Sequence, residues 1–254
     1  MMQAVYGFLL AVQFLTRLPV PIECPWNEKT SRWAIRFYPF IGMLLGAILF
    51  GVGWFLAPFI SPLLLSMVLI SLWVWLTGGL HLDGLMDVAD AVGSNAPLEK
   101  KWEIMKDPHV GSFGIIALFF LLIWKSVLLY SIVEEGPFME LFSLLVVLGA
   151  ARFAAVALLV LVPAAKKQGL AWDWKKNLRK VEVVYAAIPL VLLLLFQPGY
   201  LMILPVLLIP ILLYGLWVMR TFRGINGDLI GTAIEGGELW GLVIIWIFIS
   251  FVTV

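Results

Sequence analysis

Cysteine is nearly absent: Cys24 is the only one in 254 residues. No disulfide can form within the chain, and redox compartment cannot be read from cysteine usage. Charge is scarce as well. Asp, Glu, Lys and Arg make up 13% of the residues, about half the ~25% of soluble domains. Basic residues are missing from the first sixteen positions, so the basic n-region of a secretory signal peptide is lacking and none is expected. Tandem repeats, low-complexity tracts and a separate basic domain are missing too, and nucleic-acid binding is not expected.

What is present is apolar. Hydrophobic residues make up 63% of the chain, with a mean hydropathy of +1.04. A water-soluble globule of this composition has too few polar residues to cover its exterior. The expected class is therefore an all-α, polytopic integral membrane bundle forming one domain over 1–254. Charge-poor windows fall at 38–59, 62–80, 113–133, 141–165, 183–197, 201–219 and 239–254. They predict about seven spans, the fifth and seventh slightly short of the ~17–25 residues a crossing needs. Pro- and Gly-containing breaks at 57–62 and 197–199 predict tight turns. Val5, Phe8, Leu9, Val12 and Leu15 recur at helical spacing and predict an N-terminal helix lying at the interface or packed on the bundle.

Of the seventeen basic residues, fifteen fall in 1–37, 81–112, 166–182 and 220–238. The alternate loops, near 60, 134–140 and 198–200, carry none. By the positive-inside rule, the N-terminus and the long polar loops are expected to face the cytoplasm. The two remaining bases, Lys125 and Arg152, lie inside spans. A central Lys or Arg costs about 2.5–3.5 kcal/mol on translocon scales, so each calls for a partner or an anionic ligand.

The most informative segment runs from Thr77 to Gly93. Asp83, Asp87 and Asp90 stand at i, i+4 and i+7, on one face of a helix. No Lys or Arg occurs from Ser61 to Glu99 to neutralise them. An all-oxygen carboxylate set suits Mg²⁺ completed by substrate phosphate, which points to phosphoryl transfer. The competing reading is a solvated face beside the membrane, against which stand the apolar Leu85, Met86, Val88 and Ala89 between the acids. His81, two residues upstream, is a candidate to orient a carboxylate, contact substrate or move a proton.

Three further polar islands carry candidates. Lys106, Asp107, His109 and Ser112 precede the third span, with Gly111 and Gly114 whose amides can cradle a phosphate; the plainer reading is a polar turn capped by Ser112. Arg223 and the glycines to Gly227 offer an anion-binding turn before the last span, where Asp228 and Glu235 share a helical face. Arg36 heads the first span, as an anion ligand or as a positive-inside anchor. The loop 166–182, with Trp172 and Trp174 among six bases, reads as an interfacial anchor to anionic lipid with no catalytic role.

The run from Thr77 to Asp90 resembles the signature of the cobalamin synthase family (adenosylcobinamide-GDP ribazoletransferase). So do 14–21, 37–42, 104–114, and Gly227-Asp228 with Glu235, in order along nearly the whole chain. The resemblance implies a Mg²⁺-dependent enzyme of the cytoplasmic (inner) membrane. Its implied reaction joins adenosylcobinamide-GDP to α-ribazole or α-ribazole 5′-phosphate, releasing GMP and forming adenosylcobalamin or its 5′-phosphate. On that reading Asp83, Asp87 and Asp90 bind metal, or Asp90 stays metal-free and takes the nucleophile's proton. Asp107, Asp228 and Glu235 are further acidic ligands. Lys106, Arg152 and Arg223 pair with the pyrophosphate or nucleotide, with Arg36, His109 and Ser112 on the substrate side and His81 catalytic. A homo-oligomer is compatible with the sequence. Two rivals are a CDP-alcohol type phosphotransferase and a transporter lined by the intramembrane charges. Against the first, Asp83-Gly84 is followed by Leu85-Met86 rather than Ala-Arg. Against the second, the polar residues gather at one edge rather than at the midplane.

Overall fold

The computed structural model describes residues 2–135, 138–196 and 204–252. The turn expected at 197–199, the first three residues of the expected sixth span and the last two of the seventh lie outside these. Eleven α-helices and a short 3-10 turn occur among the described residues. They are α1 (Met2–Leu15), α2 (Glu28–Leu56), α3 (Pro62–Thr77), α4 (Leu80–Gly93), α5 (Leu98–Ile104) and α6 (Ser112–Glu135). The 3-10 turn Phe138–Phe142 follows, then α7 (Ser143–Leu161), α8 (Leu170–Lys175), α9 (Val181–Phe196), α10 (Leu204–Phe222) and α11 (Gly227–Val252). The chain is a helical membrane protein, and each expected window holds an apolar helix. Helices α2, α6, α7 and α11 are long and apolar enough to cross a bilayer unaided. At 1.5 Å per residue, the sixteen residues of α3 and of α9 reach only about 24 Å, short of a ~30 Å hydrocarbon core.

Two helix starts differ from the windows. The first span begins ten residues earlier, at Glu28, where Asn27 caps it by accepting from the amides of Lys29 and Thr30 at 3.0 and 3.1 Å. Pro39 lies inside this helix rather than at its edge, as apolar surroundings and neighbouring helices permit. The last span starts at Gly227 and runs 26 residues without a break, so Asp228, Glu235 and Glu238 all belong to it.

Helix α7 is the hub, buried on nearly every side. Gly42 and Gly46 of α2 lie against the backbone of Leu148 and Leu144; a Cβ at Gly46 would come within 2.6 Å of the Leu144 carbonyl oxygen. Only glycine allows helices so close. Helix α1 packs on α2, where Gly7 meets Trp33, matching the expected packed N-terminal helix.

One break positions everything that follows. Helix α3 ends at Gly78 and α4 begins after Gly79, with φ of 69° and 74°, a conformation glycine adopts without strain. The two helices meet at 89°. With α3 along the bundle, α4 lies across its end.

Candidate active site at the crossing of α4 and α11

Helix α4 crosses the start of α11 at two glycines. A Cβ on Gly84 would approach the Asp228 Cα and carbonyl oxygen to 2.9 Å, and one on Gly231 would approach the His81 Cα to 3.2 Å. Thr232 Oγ1 donates across the crossing to the Gly84 carbonyl at 3.1 Å. This contact brings Asp228 beside Asp83 and Asp87. Asn226 holds the Asp228 carboxylate through an amide donation of 2.7 Å, while its own side-chain oxygen accepts from the Leu229 amide and caps α11.

The electrostatics record the crowding. Partial burial, then the neighbouring charges of Asp228, Asp83 and Asp90, push Asp87 up to about 6. None of the four acids is ion-paired to Lys or Arg among the described residues. As they stand, no three His, Cys, Asp or Glu side chains among those residues converge on one point to cage a metal. Mg²⁺ does not need such a cage: it commonly takes one or two protein carboxylates and completes its shell with water and phosphate. An all-oxygen set without a cation, in which burial and neighbouring acids push Asp87 up, fits that ion.

Asp90 does something other than the sequence suggests. Its two oxygens accept from the amides of Gly111 and Gly114, at 2.8 and 2.9 Å. The glycine turn before α6, expected as a phosphate cradle, holds this internal carboxylate instead. Side chains at Gly111 and Gly114 would strike the Asp90 carboxylate, which explains both glycines. Asp90, not Ser112, is the acceptor at the start of α6; Ser112 is exposed. Asp90 therefore anchors α4 to α6.

The other candidates divide. Asp107 is exposed and accepts from the backbone amide and Nδ1 of His109. Those two bonds, the amide first, hold its pKa below the usual carboxylate range. Asp107 and His109 form a surface pair. Arg36 donates to buried Glu182 at 2.7 Å and lies over the rings of Trp33 and Tyr185, so it fastens α2 to α9. Arg223 is exposed, with φ of 58°. The turn after it is no free anion cradle, because Ile225 pairs with Pro163 and Ala165 through backbone bonds of 2.8 and 3.0 Å.

Arg152 and Glu235 are elsewhere altogether. Lys125 contacts Glu235 at 2.6 Å and Glu238 at 2.5 Å, and Arg152 pairs with Glu238. All four side chains are buried. Two cations and two anions offset one another, which answers much of the cost of Lys125 and Arg152 in the spans, although Arg152 Nε and Nη2 are buried without hydrogen-bond partners. Glu238, missed in the sequence, is the acid that joins both bases. His81 is buried between this network and the acids. Burial first, then the Arg152 charge, lowers it to about 3 against the opposing pull of Glu238, so the imidazole is neutral.

The loop 166–182 is not only an anchor. Lys175 donates to the Leu159 and Val160 carbonyls at the end of α7, at 3.0 and 2.8 Å, and Arg32 donates to the Asn177 carbonyl at 2.8 Å. So tied, the loop lies beside Asp228. Lys106, Lys166, Trp102, Trp172 and Asp228 line a groove of about 530 Å³. Lys166 and Trp172 of this loop thus line the same groove as Lys106, a placement that needed tertiary structure to see.

Bundle and site together define a polytopic membrane protein with its uncompensated acids gathered at one end. The chain belongs to the cobalamin-5-phosphate synthase family (CobS), whose model matches residues 7–246. A relative from Halalkalibacterium halodurans, an adenosylcobinamide-GDP ribazoletransferase, is 37% identical over 257 residues, covering 97% of each chain. Relatives of the same name from Geobacillus kaustophilus (34% identical, 99% of each chain) and Acinetobacter baumannii (34% identical, 91% of this chain and 93% of the relative) are also similar. No solved structure matches.

Proposed function

We propose that this chain transfers the adenosylcobinamide phosphate moiety of adenosylcobinamide-GDP to α-ribazole or its 5′-phosphate, releasing GMP. The step is Mg²⁺-dependent and takes place at the cytoplasmic face of the inner membrane. The observation that carries the reading is the meeting of Asp83, Asp87 and Asp228 at the α4–α11 crossing, beside a groove lined by Lys106 and Lys166. Those three carboxylates are the ones to hold Mg²⁺. When bound, the ion would neutralise the non-bridging and leaving oxygens of the pyrophosphate.

The chain's own groups do the rest. Lys106 and Lys166 supply point charges for the nucleotide phosphates, and Trp102 and Trp172 supply ring faces for its base. Asp90 fixes α4 so that Asp83 and Asp87 keep their register against Asp228. The printed names of the relatives support this substrate pair. Closure of Lys125, Arg152, Glu235 and Glu238 into a neutral network counts against a transporter, whose charges would line a route.

The test is incubation of the purified protein with adenosylcobinamide-GDP, α-ribazole and Mg²⁺. GMP is expected with Mg²⁺ and none after chelation. GMP release that persists in excess chelator refutes the metal assignment, and no release under any divalent ion refutes the reaction.

A further inference from the structure

Helices α9 and α10 both pack on α7, but among the described residues they scarcely touch one another. The gap between them is an apolar groove of about 450 Å³. Phe153, Ala157 and Leu161 of α7 form its floor, Leu212 and Leu216 of α10 one wall, and Val183 of α9 the other. Every side chain lining it is apolar. The lining belongs to the parts of the three helices that lead into the basic loops 166–182 and 220–238. From Phe153 to Leu161 the helix rises about 12 Å, close to one leaflet of a ~30 Å hydrocarbon core.

The mouth of the groove is cationic. Leu212, Leu216 and Arg220 stand at i, i+4 and i+8, so Arg220 continues the α10 wall past its apolar part. Lys180 stands one turn before Val183, whose amide donates to its carbonyl at 3.2 Å. Both cations are exposed, and neither is ion-paired among the described residues. Glu182, the acid nearest Lys180 in sequence, is turned to α2 and buried against Arg36 at 2.7 Å. The end of the floor is tied to the segment before α11: the carbonyl of Pro163, which lines the groove, accepts from the Ile225 amide at 2.8 Å.

We infer that this groove binds one anionic phospholipid, with an acyl chain laid on α7 between α9 and α10 and the phosphate held between Lys180 and Arg220. Hydrocarbon without a headgroup would leave the cations unanswered, and free phosphate would leave the groove unfilled; one amphiphile answers both. Basic mouths between spans suit anionic headgroups. A zwitterionic lipid brings an ammonium group of its own to the same cations, so net negative charge decides. Seated there, the lipid packs beside Pro163 and braces the joint between α7 and the segment just before Asp228, without touching the acids. The site stands whether or not the proposed reaction does.

The experiment is native mass spectrometry of the full chain, stripped of lipid in neutral detergent and titrated with phosphatidylglycerol or with phosphatidylcholine of the same acyl chains. One phosphatidylglycerol per chain is expected to bind about tenfold more tightly than phosphatidylcholine, as two cations beside an anionic headgroup provide. Equal binding of the two lipids overturns the site. Lys180→Gln with Arg220→Gln should abolish the preference, while Lys29→Gln with Lys100→Gln, at exposed bases on α2 and α5, should keep it. A preference that survives the first pair, or is lost equally in the second, overturns the assignment. Glycerol phosphate, which carries the headgroup charge and no chain, should not displace the lipid at equal concentration; displacement overturns the acyl chain's place in the site. Wild type alone tests the location: phosphatidylglycerol with a photoreactive acyl chain should label peptides of α7, α9 and α10, and labelling confined to other helices overturns the site.

Discussion

Helix α11 carries acids of two kinds. Asp228, in its first turn, joins Asp83 and Asp87 in a set without a cation. Glu235 and Glu238, two to three turns further in, are closed against Lys125 and Arg152. By spacing alone Asp228 and Glu235 belong together, seven residues apart on one face. What separates them is which helix faces each turn. Helix α4 meets the first turn with more acids, and α6 and α7 meet the later turns with bases. The balanced group holds the bundle together. The unbalanced group stores repulsion that a bound cation would relieve, which is the electrical state expected of a site.

The largest effect should come from breaking the balanced group. Glu238→Gln leaves Lys125 and Arg152 facing one remaining acid in a buried setting. Removing one member of such a network costs about 3–5 kcal/mol. Thermal unfolding in detergent should show the loss, and Arg152→Gln added to Glu238→Gln should restore part of it. Equal loss in the double variant would mean that charge balance is not what the network supplies.

Next is the unbalanced group. Asp83→Asn should lower kcat by at least about 10²-fold, as removal of an electrostatic stabiliser does, while the melting temperature stays level or rises because a like charge is gone. A fall in stability comparable to that of Glu238→Gln would erase the contrast between the two groups.

A smaller effect is expected at the tether. Gly111→Ala drives a methyl group into the Asp90 carboxylate, an overpacking worth about 1–3 kcal/mol. It should shift α4 against α11 and lower activity more than stability. GMP release and unfolding, measured together, check the ratio.

Much of this was legible in the sequence. Composition points to a helical membrane bundle, the charge-poor windows each hold an apolar helix, and helical spacing marks α1. The i, i+4, i+7 spacing places Asp83, Asp87 and Asp90 on one helix, and the cost of Lys125 and Arg152 inside spans calls for partners. What could not be read was contact at a distance. Asp90 looks like its two neighbours until Gly111 and Gly114 are brought against it. Glu238 carries no signal in the sequence until α6 and α7 bring Lys125 and Arg152 against it. Trp172 and Lys166 look like lipid anchors until Lys175 binds the end of α7 and brings their loop beside Asp228. Each correction comes from a pairing more than twenty residues apart, or from a fold-back that hydropathy does not encode.

The finest distinction between the two groups lies in pH. The free energy of folding depends on Asp87 because its pKa is raised from 3.8 to about 6 in the folded protein. A group whose pKa is raised by folding contributes stability below its unfolded value and loses it as pH rises through the folded value. Without divalent ions the melting temperature should therefore fall slightly as pH increases from about 4 to 7, and Asp87→Asn should flatten that slope. Added Mg²⁺ should act in the opposite sense. Cation binding is strongest to the ionised carboxylate, so it should raise the melting temperature more at pH 7 than at pH 5. Thermal melts at the two pH values, with and without Mg²⁺, check both signs. If Mg²⁺ stabilises equally at each pH, or Asp87→Asn leaves the slope intact, then Asp87 does not belong to the unbalanced group and the divide along α11 falls elsewhere.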